Sequence, residues 1–346
     1  MIYFDVTKAG GAGHRSGLQR VSVRLQTSFG PAATAVIWDK SRRIFVTGPG
    51  AGIGPGDWLL TAELFSEDER PGIGEFLRSR RVRTAAIFHD AIPLKFPHIT
   101  WPQSVARQPG YMKLLASFDR VWAVSEASRN ELLGFWRWQG LGTTPPVAVL
   151  TLGADFTGAG RVTAATSAAI PPCLLSVGIL EPRKNQALLL DVGEELWTGG
   201  MTFELHLVGR VNPHFGAPIV ARIKSLQKSF SGLHYHAAAG DDVVAKLYAR
   251  ARASVFPTLA EGCGLPLLES LWQGVPCVCS DLPVLRENAG GGGCLTVGVN
   301  DRAAWTDALR RIITDDALHA RLAREAASRR LPTWAAAAVA LQAELG

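Results

Sequence analysis

Residues 254–287 read SVFPTLAEGCGLPLLESLWQGVPCVCSDLPVLRE, and this pattern predicts a strand, a loop, a helix and a second strand. The apolar residues 254–256 predict the end of a buried strand. Pro266 opens a helix at a position where its missing N–H does no harm. Gly274 ends that helix, and residues 275–280 predict the next buried strand. This order of elements is typical of a parallel α/β sheet.

Two carboxylates flank the predicted start of this helix. Glu261 lies in the loop and Glu269 lies eight positions later, about one turn inside the helix. In parallel α/β sheets, ligands bind beyond the carboxyl ends of the strands. Backbone N–H groups near Gly264 and Leu265 would suit a phosphate there. The arrangement fits a site for sugar and ribose hydroxyls around a diphosphate, whereas the glutamate pair taken alone favours a solvated face.

The segment EGCGLPLLES closely resembles the E-x7-E signature of retaining glycosyltransferases of family 4, which usually reads EGFGLPLLEA. Cys263 stands where that family usually has Phe, so packing beside the sugar is expected to differ. Further segments repeat the resemblance in chain order: GLQRV, FHD, VSEASR, VAVLTLG, GILEPRKN, LVGR and the Trp334 region. The resemblance covers most of the chain and is strongest in its second half.

The predicted fold is α/β, with strands and helices alternating on both sides of a linker rich in Ala, Thr, Gly and Pro. The resemblance implies the GT-B class, in which two Rossmann-like, doubly wound domains face a central cleft. We expect an N-terminal acceptor-binding domain over 1–155, a linker over 156–171 and a nucleotide-sugar-binding domain over 172–330. The helix in 331–346 is expected to cross back to the N-terminal domain.

Composition narrows the class of protein. The 346 residues are 47% hydrophobic and 19% charged, which is typical of a globular chain long enough for two domains. The net charge of +6 fits an anionic substrate or membrane surface, or simply an arginine-rich solvated surface. No short run is dense enough in Lys and Arg to predict a nucleic-acid groove.

The expected location is cytoplasmic. The five cysteines are an odd number and mostly lie in apolar runs, which is typical of reduced, buried thiols. The sequence starts with an apolar strand pattern rather than a signal peptide, and no apolar run is long enough for a membrane-spanning helix. Any membrane attachment is therefore expected to be peripheral, at the inner face of the plasma membrane.

Arg183 and Lys184 stand together where a helix is predicted to begin, following a strand that ends at Gly178. Cations are disfavoured at a helix start, and a bound anion would resolve that conflict. A surface basic pair is the alternative. The resemblance implies that Arg183 and Lys184 contact the nucleotide diphosphate and take part in catalysis, with Gly178 and Arg210 also at the donor. For Arg210, at the end of LVGR, a surface role is equally open.

Residues 8–17 form a glycine-rich loop between a strand and a helix, which is also consistent with a plain turn. In the resembling family this loop lies at the interdomain cleft. Gly13, Ser16 and Gly17 are therefore candidates for the cleft or acceptor site.

His89 and Asp90 follow the predicted buried strand 82–88. A histidine there can orient or deprotonate a hydroxyl, or it can be a hydrogen-bonded loop residue. The resemblance implies a catalytic position for His89 near the transferred sugar, with Asp90 in the acceptor region. Ser125 is predicted to cap a helix, and it is a further acceptor-side candidate.

The function implied by the resemblance is transfer of a hexose from a nucleotide sugar to a glycan or lipid-linked oligosaccharide, with retention of configuration. GDP-mannose is the first candidate donor, because LEPRKN resembles mannosyltransferases of surface polysaccharide assembly. A polyprenyl-diphosphate-linked acceptor would fit the basic charge. No cofactor and no metal are expected, because the chain has no D-x-D motif of the kind that holds a divalent cation in the other major transferase fold. A degenerate sugar-nucleotide-binding protein, a nucleotide-sugar epimerase and an NAD-dependent oxidoreductase are the alternatives.

Overall fold

The structure is a computed structural model that describes residues 1–9, 17–48, 53–155, 160–163, 170–237 and 239–346. The chain divides into two compact units. Unit 1 comprises residues 1–153 and 332–346, and unit 2 comprises residues 154–331. Gly13 and Ser16 lie outside the described residues.

Unit 1 contains a seven-stranded sheet with helices packed on it. Its strands are β1 Ile2–Asp5, β2 Ala33–Asp39, β3 Ile44–Val46, β4 Trp58–Thr61, β5 Arg83–Phe88, β6 Arg120–Ala123 and β7 Val147–Val149. Its first helices are α1 Gly17–Phe29, α2 Ile73–Arg78, α3 Ile92–Lys95, α4 Pro102–Leu115 and α5 Glu126–Trp138. The C-terminal helix Trp334–Leu345, labelled α13 below, also belongs to unit 1 and packs against α1.

The strand order of the unit 1 sheet is β3-β2-β1-β4-β5-β6-β7, and every pair is parallel except β2 with β3. The chain moves outward from β1 to β3 and then returns to place β4 beside β1. Loops after β1 and β4 therefore diverge from one point, where doubly wound sheets bind ligands. The core on the sheet includes Leu59, Phe65, Tyr111 and Trp136, all fully or almost fully buried.

Unit 2 contains a six-stranded, entirely parallel sheet in the order β10-β9-β8-β11-β12-β13. Its strands are β8 Cys173–Val177, β9 Glu204–Val208, β10 Leu233–His236, β11 Ala253–Phe256, β12 Cys277–Ser280 and β13 Cys294–Val297. Its helices are α6 Gln186–Thr198, α7 Ala217–Leu226, α8 Asp241–Arg250, α9 Leu265–Trp272, α10 Pro283–Ala289, α11 Arg302–Thr314 and α12 Asp316–Ser328. The order in which the chain adds strands reverses between β8 and β11. Strands β9 and β10 lie on one side of β8, and β11 to β13 lie on the other.

The central strands β11 and β12 are buried along their whole length, and β8 and β9 at all but one residue each, because helices cover both faces of the sheet. Buried strands of a parallel sheet read as continuous apolar runs, and this explains why sequence patterns located them well. Among the described residues, no helix combines the length and the apolar character needed to cross a bilayer.

Gly209, which follows β9, lies very close to the backbone of Gly178, which follows β8. A Cβ atom at this position would lie 1.8 Å from the carbonyl oxygen of Gly178. We expect Gly209→Ala to force the ends of β8 and β9 apart and to destabilise unit 2 by about 1–3 kcal/mol. Thermal unfolding checks this, with Gly298→Ala as the control, because a Cβ there meets its nearest atom at an ordinary 3.5 Å. Equal unfolding temperatures for the two variants would contradict the prediction.

Candidate functional site

The sequence motifs of unit 2 meet between β8 and β11, where the order of strand addition reverses. Residues 178–184 follow β8 and residues 257–264 follow β11, and these two strands are neighbours in the sheet. The Leu259 N–H donates to the carbonyl oxygen of Arg183 at 2.8 Å, which ties the two loops together. The sheet order therefore brings the basic pair and the first glutamate of the E-x7-E segment to one place.

Glu261 is the centre of this site. Its Oε1 accepts hydrogen bonds from Lys184 Nζ at 2.5 Å, Thr258 Oγ1 at 2.7 Å and Arg183 Nη1 at 3.1 Å. All three bonds go to one oxygen, and no donor from the described residues reaches Oε2. Because the Glu261 side chain is 9% exposed, a ligand hydroxyl is a suitable partner for Oε2.

Arg183 is held in place from both loops. Its guanidinium pairs with Glu181 at 2.7 Å and donates to the Ala260 carbonyl at 3.0 Å. Glu181 is in turn bonded by Asn212 Nδ2 at 3.0 Å. The side chains in this set form what we call the donor cluster: Glu181, Arg183, Lys184, Asn212, Thr258 and Glu261. Such a network fixes the direction of the guanidinium before a ligand arrives.

The backbone positions Arg183 and Lys184 in a single 3-10 turn, Pro182–Lys184, before α6 begins. Asn185 adopts a left-handed conformation (φ 54°) that joins this turn to the helix, a conformation that Asn tolerates better than most residues. The predicted helix start is therefore confirmed, with one extra turn that carries the two cations. Both lie ahead of the helix rather than inside it.

Burial and neighbouring charges shift the pKa values of Glu261 and Lys184 in opposite directions. Burial would raise the pKa of Glu261, but the charges of Lys184 and Arg183 and its hydrogen bonds hold that pKa below the ordinary value. Burial lowers the pKa of Lys184, and the Glu261 charge opposes part of that effect. Glu261 is thus a carboxylate at neutral pH, and it keeps two cations together at a nearly buried position.

The helix of the E-x7-E segment starts at Leu265, one residue before the predicted opening at Pro266. Gly264 is its N-cap in a left-handed conformation (φ 81°), and α9 runs from Leu265. A Cβ at Gly264 would lie 2.6 Å from Leu285, so both conformation and space favour glycine. Glu269 is buried in the second turn of the helix. Burial raises the pKa of the Cys263 thiol to about 12, which makes it a packing residue rather than a nucleophile.

The remaining donor candidates of unit 2 differ in their surroundings. Gly178 follows β8, and a Cβ there would lie at an ordinary 3.6 Å from the Lys184 side chain. Arg210 is exposed, and its backbone carbonyl accepts from the Leu180 N–H at 2.8 Å. No contact joins its side chain to the described members of the donor cluster, so its role at the donor stays a prediction.

Three members of the donor cluster were missed by sequence reasoning. Glu181 and Asn212 belong to different loops, and Thr258 precedes Glu261 by three residues. The only sequence signal was proximity to motifs: Glu181 within ILEPRKN, Thr258 in the loop before Glu261, and Asn212 two residues after LVGR. Their role depends on contacts between loops that are far apart in sequence.

The unit 1 candidates lie at the ends of β5 and β6. His89 is buried, and its Nε2 donates to the Ala62 carbonyl at 2.8 Å, since a carbonyl can only accept. Burial lowers the pKa of His89 to about 4, despite that hydrogen bond. A neutral imidazole with so low a pKa is a poor base near pH 7. Its Nδ1 can still accept a hydrogen bond, so the orienting role is favoured over deprotonation.

Asp90, Ser125 and Gly17 have clear structural positions. Asp90 Oδ1 accepts from the Ile92 N–H at 3.0 Å at the start of α3. Ser125 caps α5 by accepting from the Ser128 N–H at 3.0 Å, which confirms the predicted cap. Gly17 is exposed at the first position of α1. Their roles toward an acceptor remain predictions.

A buried ion network in unit 1 was also missed. Arg70, 1% exposed, pairs with Asp5 at the end of β1 and with Glu63 just after β4. Glu63 Oε1 also accepts from the backbone N–H groups of Lys8 at 2.6 Å and Ala9 at 2.9 Å. The network therefore fixes the backbone that leads into the glycine-rich loop. Sequence reasoning missed it because the three charges come from separate segments.

The network predicts a pH dependence of stability. Burial, with the neighbouring charge of Asp5, raises the pKa of Glu63 to about 7, against the opposing effect of Arg70. An acid whose pKa is higher in the folded state binds more protons there, so stability falls as the pH rises from about 4.5 to 7. We expect the fall to be smaller in E63Q. Chemical denaturation at pH 5, 6, 7 and 8 measures it, with E75Q, an exposed carboxylate, as the control. Identical pH profiles for E63Q and the wild type would exclude this contribution.

Residues 171–315, which include the whole donor cluster, match the family model described as glycosyl transferases group 1. The matched segment is less than half of the chain. The resemblance found in the E-x7-E segment is thereby confirmed, and the epimerase and oxidoreductase alternatives lose their support.

The curated relatives described here come from Escherichia coli. This chain is 32% identical over 253 residues to the serotype-specific mannosyltransferase WbdA of Escherichia coli, a match that covers 66% of this chain and 29% of WbdA. It is 32% identical over 143 residues to the O-antigen chain mannosyltransferase B of E. coli, covering 41% of this chain and 37% of that protein. The chain thus spans less than two fifths of the length of these relatives.

Solved structures share the fold of this chain. Sucrose-phosphate synthase of Thermosynechococcus elongatus superposes with a TM-score of 0.74 at 19% identity, covering 98% of this chain and 96% of that one. Anabaena HepE, solved with UDP and glucose, gives 0.69 at 15% identity, covering 99% and 97%. The predicted fold class, two doubly wound α/β domains of the GT-B type, is confirmed.

Proposed function

We propose that this protein is a retaining mannosyltransferase that moves mannose from GDP-mannose to a glycan or a polyprenyl-diphosphate-linked oligosaccharide. The single observation that carries the transferase proposal is the donor cluster. It presents two cations, paired with the carboxylates of Glu181 and Glu261, at the reversal point of the unit 2 sheet. The choice of mannose is supported by the names of the two curated relatives above, a serotype-specific mannosyltransferase and an O-antigen chain mannosyltransferase.

In the proposed mechanism, Arg183 and Lys184 bind the diphosphate of the donor. As the bond to the sugar breaks, negative charge grows on the leaving phosphate, and fixed cations stabilise that charge most strongly at this stage. Glu261 Oε2 would accept a hydrogen bond from a hydroxyl of the transferred sugar, while Oε1 keeps the cations in place. Glu269 would hold ribose hydroxyls, and backbone near Gly264 and Leu265 would assist the phosphate.

The acceptor hydroxyl would attack from the side on which the phosphate leaves, and a phosphate oxygen would take its proton. This course needs no enzymic nucleophile and retains the anomeric configuration. His89, neutral at pH 7, would accept a hydrogen bond at Nδ1 from a hydroxyl and orient it. We propose that the transfer proceeds without a metal at the donor, because the two side-chain cations supply the positive charge.

We further propose a cytoplasmic protein with peripheral contact to the inner face of the plasma membrane. The net charge of +6 supports this location, since a basic surface is attracted to anionic lipid. A membrane-bound polyprenyl acceptor would make such contact useful.

The first experiment is nucleotide release from GDP-mannose, UDP-sugars and dTDP-sugars in the presence of membrane lipid extract, with Glu261→Ala as the matched variant. We expect release from GDP-mannose that is lost in Glu261→Ala, and a product whose anomeric configuration is that of the donor. Release from a UDP- or dTDP-sugar instead would keep the transferase and change the donor. An inverted product would overturn the mechanism. No release, and no thermal shift with any donor, would favour a degenerate binding protein.

A further inference from the structure

A second cluster of polar side chains lies at the opposite ends of the unit 2 strands. Cys173 opens β8, and Glu204 opens β9 and pairs with it across the ladder. His206 is two residues further along β9, so its side chain shares a face with Glu204. The ligand atoms of these three residues all lie within 4.8 Å of one another. We call this set the Cys173 cluster.

The Cys173 cluster is separate from the donor cluster. Cys173 begins β8 and Gly178 follows the end of that strand, so roughly 16 Å of extended chain lies between the two. None of its members belongs to the segments that carry the transferase resemblance. A function for this cluster must therefore be sought independently of sugar transfer.

The hydrogen bonds of the cluster fit a metal-binding histidine. His206 Nε2 lies 3.0 Å from Glu204 Oε2, and His206 Nδ1 lies 3.0 Å from His236 Nε2. Metal-ligating histidines almost always have their other ring nitrogen hydrogen-bonded, which fixes the orientation of the ring. His236 supplies that partner, and His234 stacks on the His206 ring at 4.4 Å between ring centroids.

The donor atoms identify the class of metal. One sulfur, one imidazole nitrogen and one carboxylate oxygen form a ligand set that suits zinc, whereas magnesium and calcium prefer oxygen alone. Around tetrahedral zinc such atoms lie roughly 3.5 Å apart, so small side-chain rotations would close the set. Cys173 and His206 are buried, and Glu204, 21% exposed, leaves a way for solvent to reach the fourth position.

We propose that Cys173, Glu204 and His206 bind one Zn²⁺, which links β8 to β9 at the amino-terminal edge of the unit 2 sheet. Zinc replaces the proton between His206 and Glu204 and releases the proton of the Cys173 thiol. Burial raises the pKa of that thiol to about 11, so it is not a reactive thiolate without a metal. Arg250, which bonds Glu204 at 2.5 Å and is 42% exposed, turns into solvent as the metal takes its place.

The test uses the untagged full chain. The protein is incubated with excess Zn²⁺, freed of unbound metal on a desalting column and analysed for zinc per chain. C173S and H206Q remove ligands, and C277S is the matched control, because Cys277 is another buried cysteine of the same sheet. Cobalt substitution gives a second readout, since a thiolate ligand produces a charge-transfer absorption band.

We expect one zinc per chain in the wild type and in C277S, at least tenfold weaker binding in C173S and H206Q, and no cobalt–thiolate band in C173S. If circular dichroism shows that C173S or H206Q does not fold, E204Q replaces that variant, because the Glu204 side chain is partly exposed. We expect the same loss of zinc affinity in E204Q. Absence of stoichiometric zinc in the wild type would overturn the proposal. Equal zinc in the ligand variants, or loss of zinc in C277S alone, would also overturn it.

Discussion

Lys184→Met is expected to lower kcat for nucleotide release by about 10²–10³-fold. The Lys184 ammonium is nearly buried, bonded to Glu261 at 2.5 Å and 4.9 Å above the Phe256 ring. A cation held in such a site acts on a developing phosphate charge more strongly than it would in water. Methionine keeps most of the volume of the side chain and removes only the charge, so the loss reports electrostatics rather than packing.

Steady-state nucleotide release and thermal unfolding of the same preparations separate chemistry from folding. The matched control is Lys95→Met, because Lys95 forms an exposed pair with Glu131 in unit 1 and is half exposed. We expect Lys95→Met to keep wild-type kcat. If Lys184→Met is folded and keeps the wild-type kcat, Lys184 has no part in the mechanism. Nucleotide release from GDP-mannose, UDP-sugars and dTDP-sugars then decides separately whether the protein is a transferase.

Arg70→Met is expected to lower the free energy of unfolding of unit 1 by about 3–5 kcal/mol. The substitution leaves the carboxylates of Asp5 and Glu63 buried without their cation, and each is at most 5% exposed. Arg70 also lies 3.9 Å from the centre of the Phe65 ring, a contact that methionine replaces only in part. Because Glu63 holds the backbone of Lys8 and Ala9, the residues leading into the glycine-rich loop are expected to become less protected from hydrogen exchange.

Urea denaturation measures the loss, with Arg107→Met as the control. Arg107 pairs with Glu69, which is 37% exposed, and such pairs contribute only about 0–1 kcal/mol. The combination D5N, E63Q and R70M removes all three charges, and we expect it to recover part of the lost stability. Equal losses in Arg70→Met and Arg107→Met would show that the buried network contributes no more than a surface pair.

Local sequence patterns predicted the elements that carry chemistry. The helix start at Pro266, the cap at Ser125 and the buried strand before His89 all follow from the local residue pattern, and the structure has each of them, with the helix beginning one residue earlier, at Leu265. The antiparallel edge strand β3 and the strand β13 were missed. Both are short and half-buried, so neither gives a long apolar run. Tertiary pairing with a neighbouring strand is what makes them strands.

The sequence by itself determined the α/β class, the identity of the two cations and the position of both glutamates. Strand–helix alternation indicates the class, and two short motifs, residues 178–185 and 261–269, contain the charged residues. Only the tertiary structure decided that Lys184 and Arg183 share one oxygen of Glu261, that Asn212 and Thr258 complete the cluster, and that Arg70 joins two buried carboxylates. It also gathered Cys173, Glu204 and His206 on one face. The physical reason is the order of strands in the sheet, which places segments that are far apart in sequence side by side, and no local pattern encodes that order.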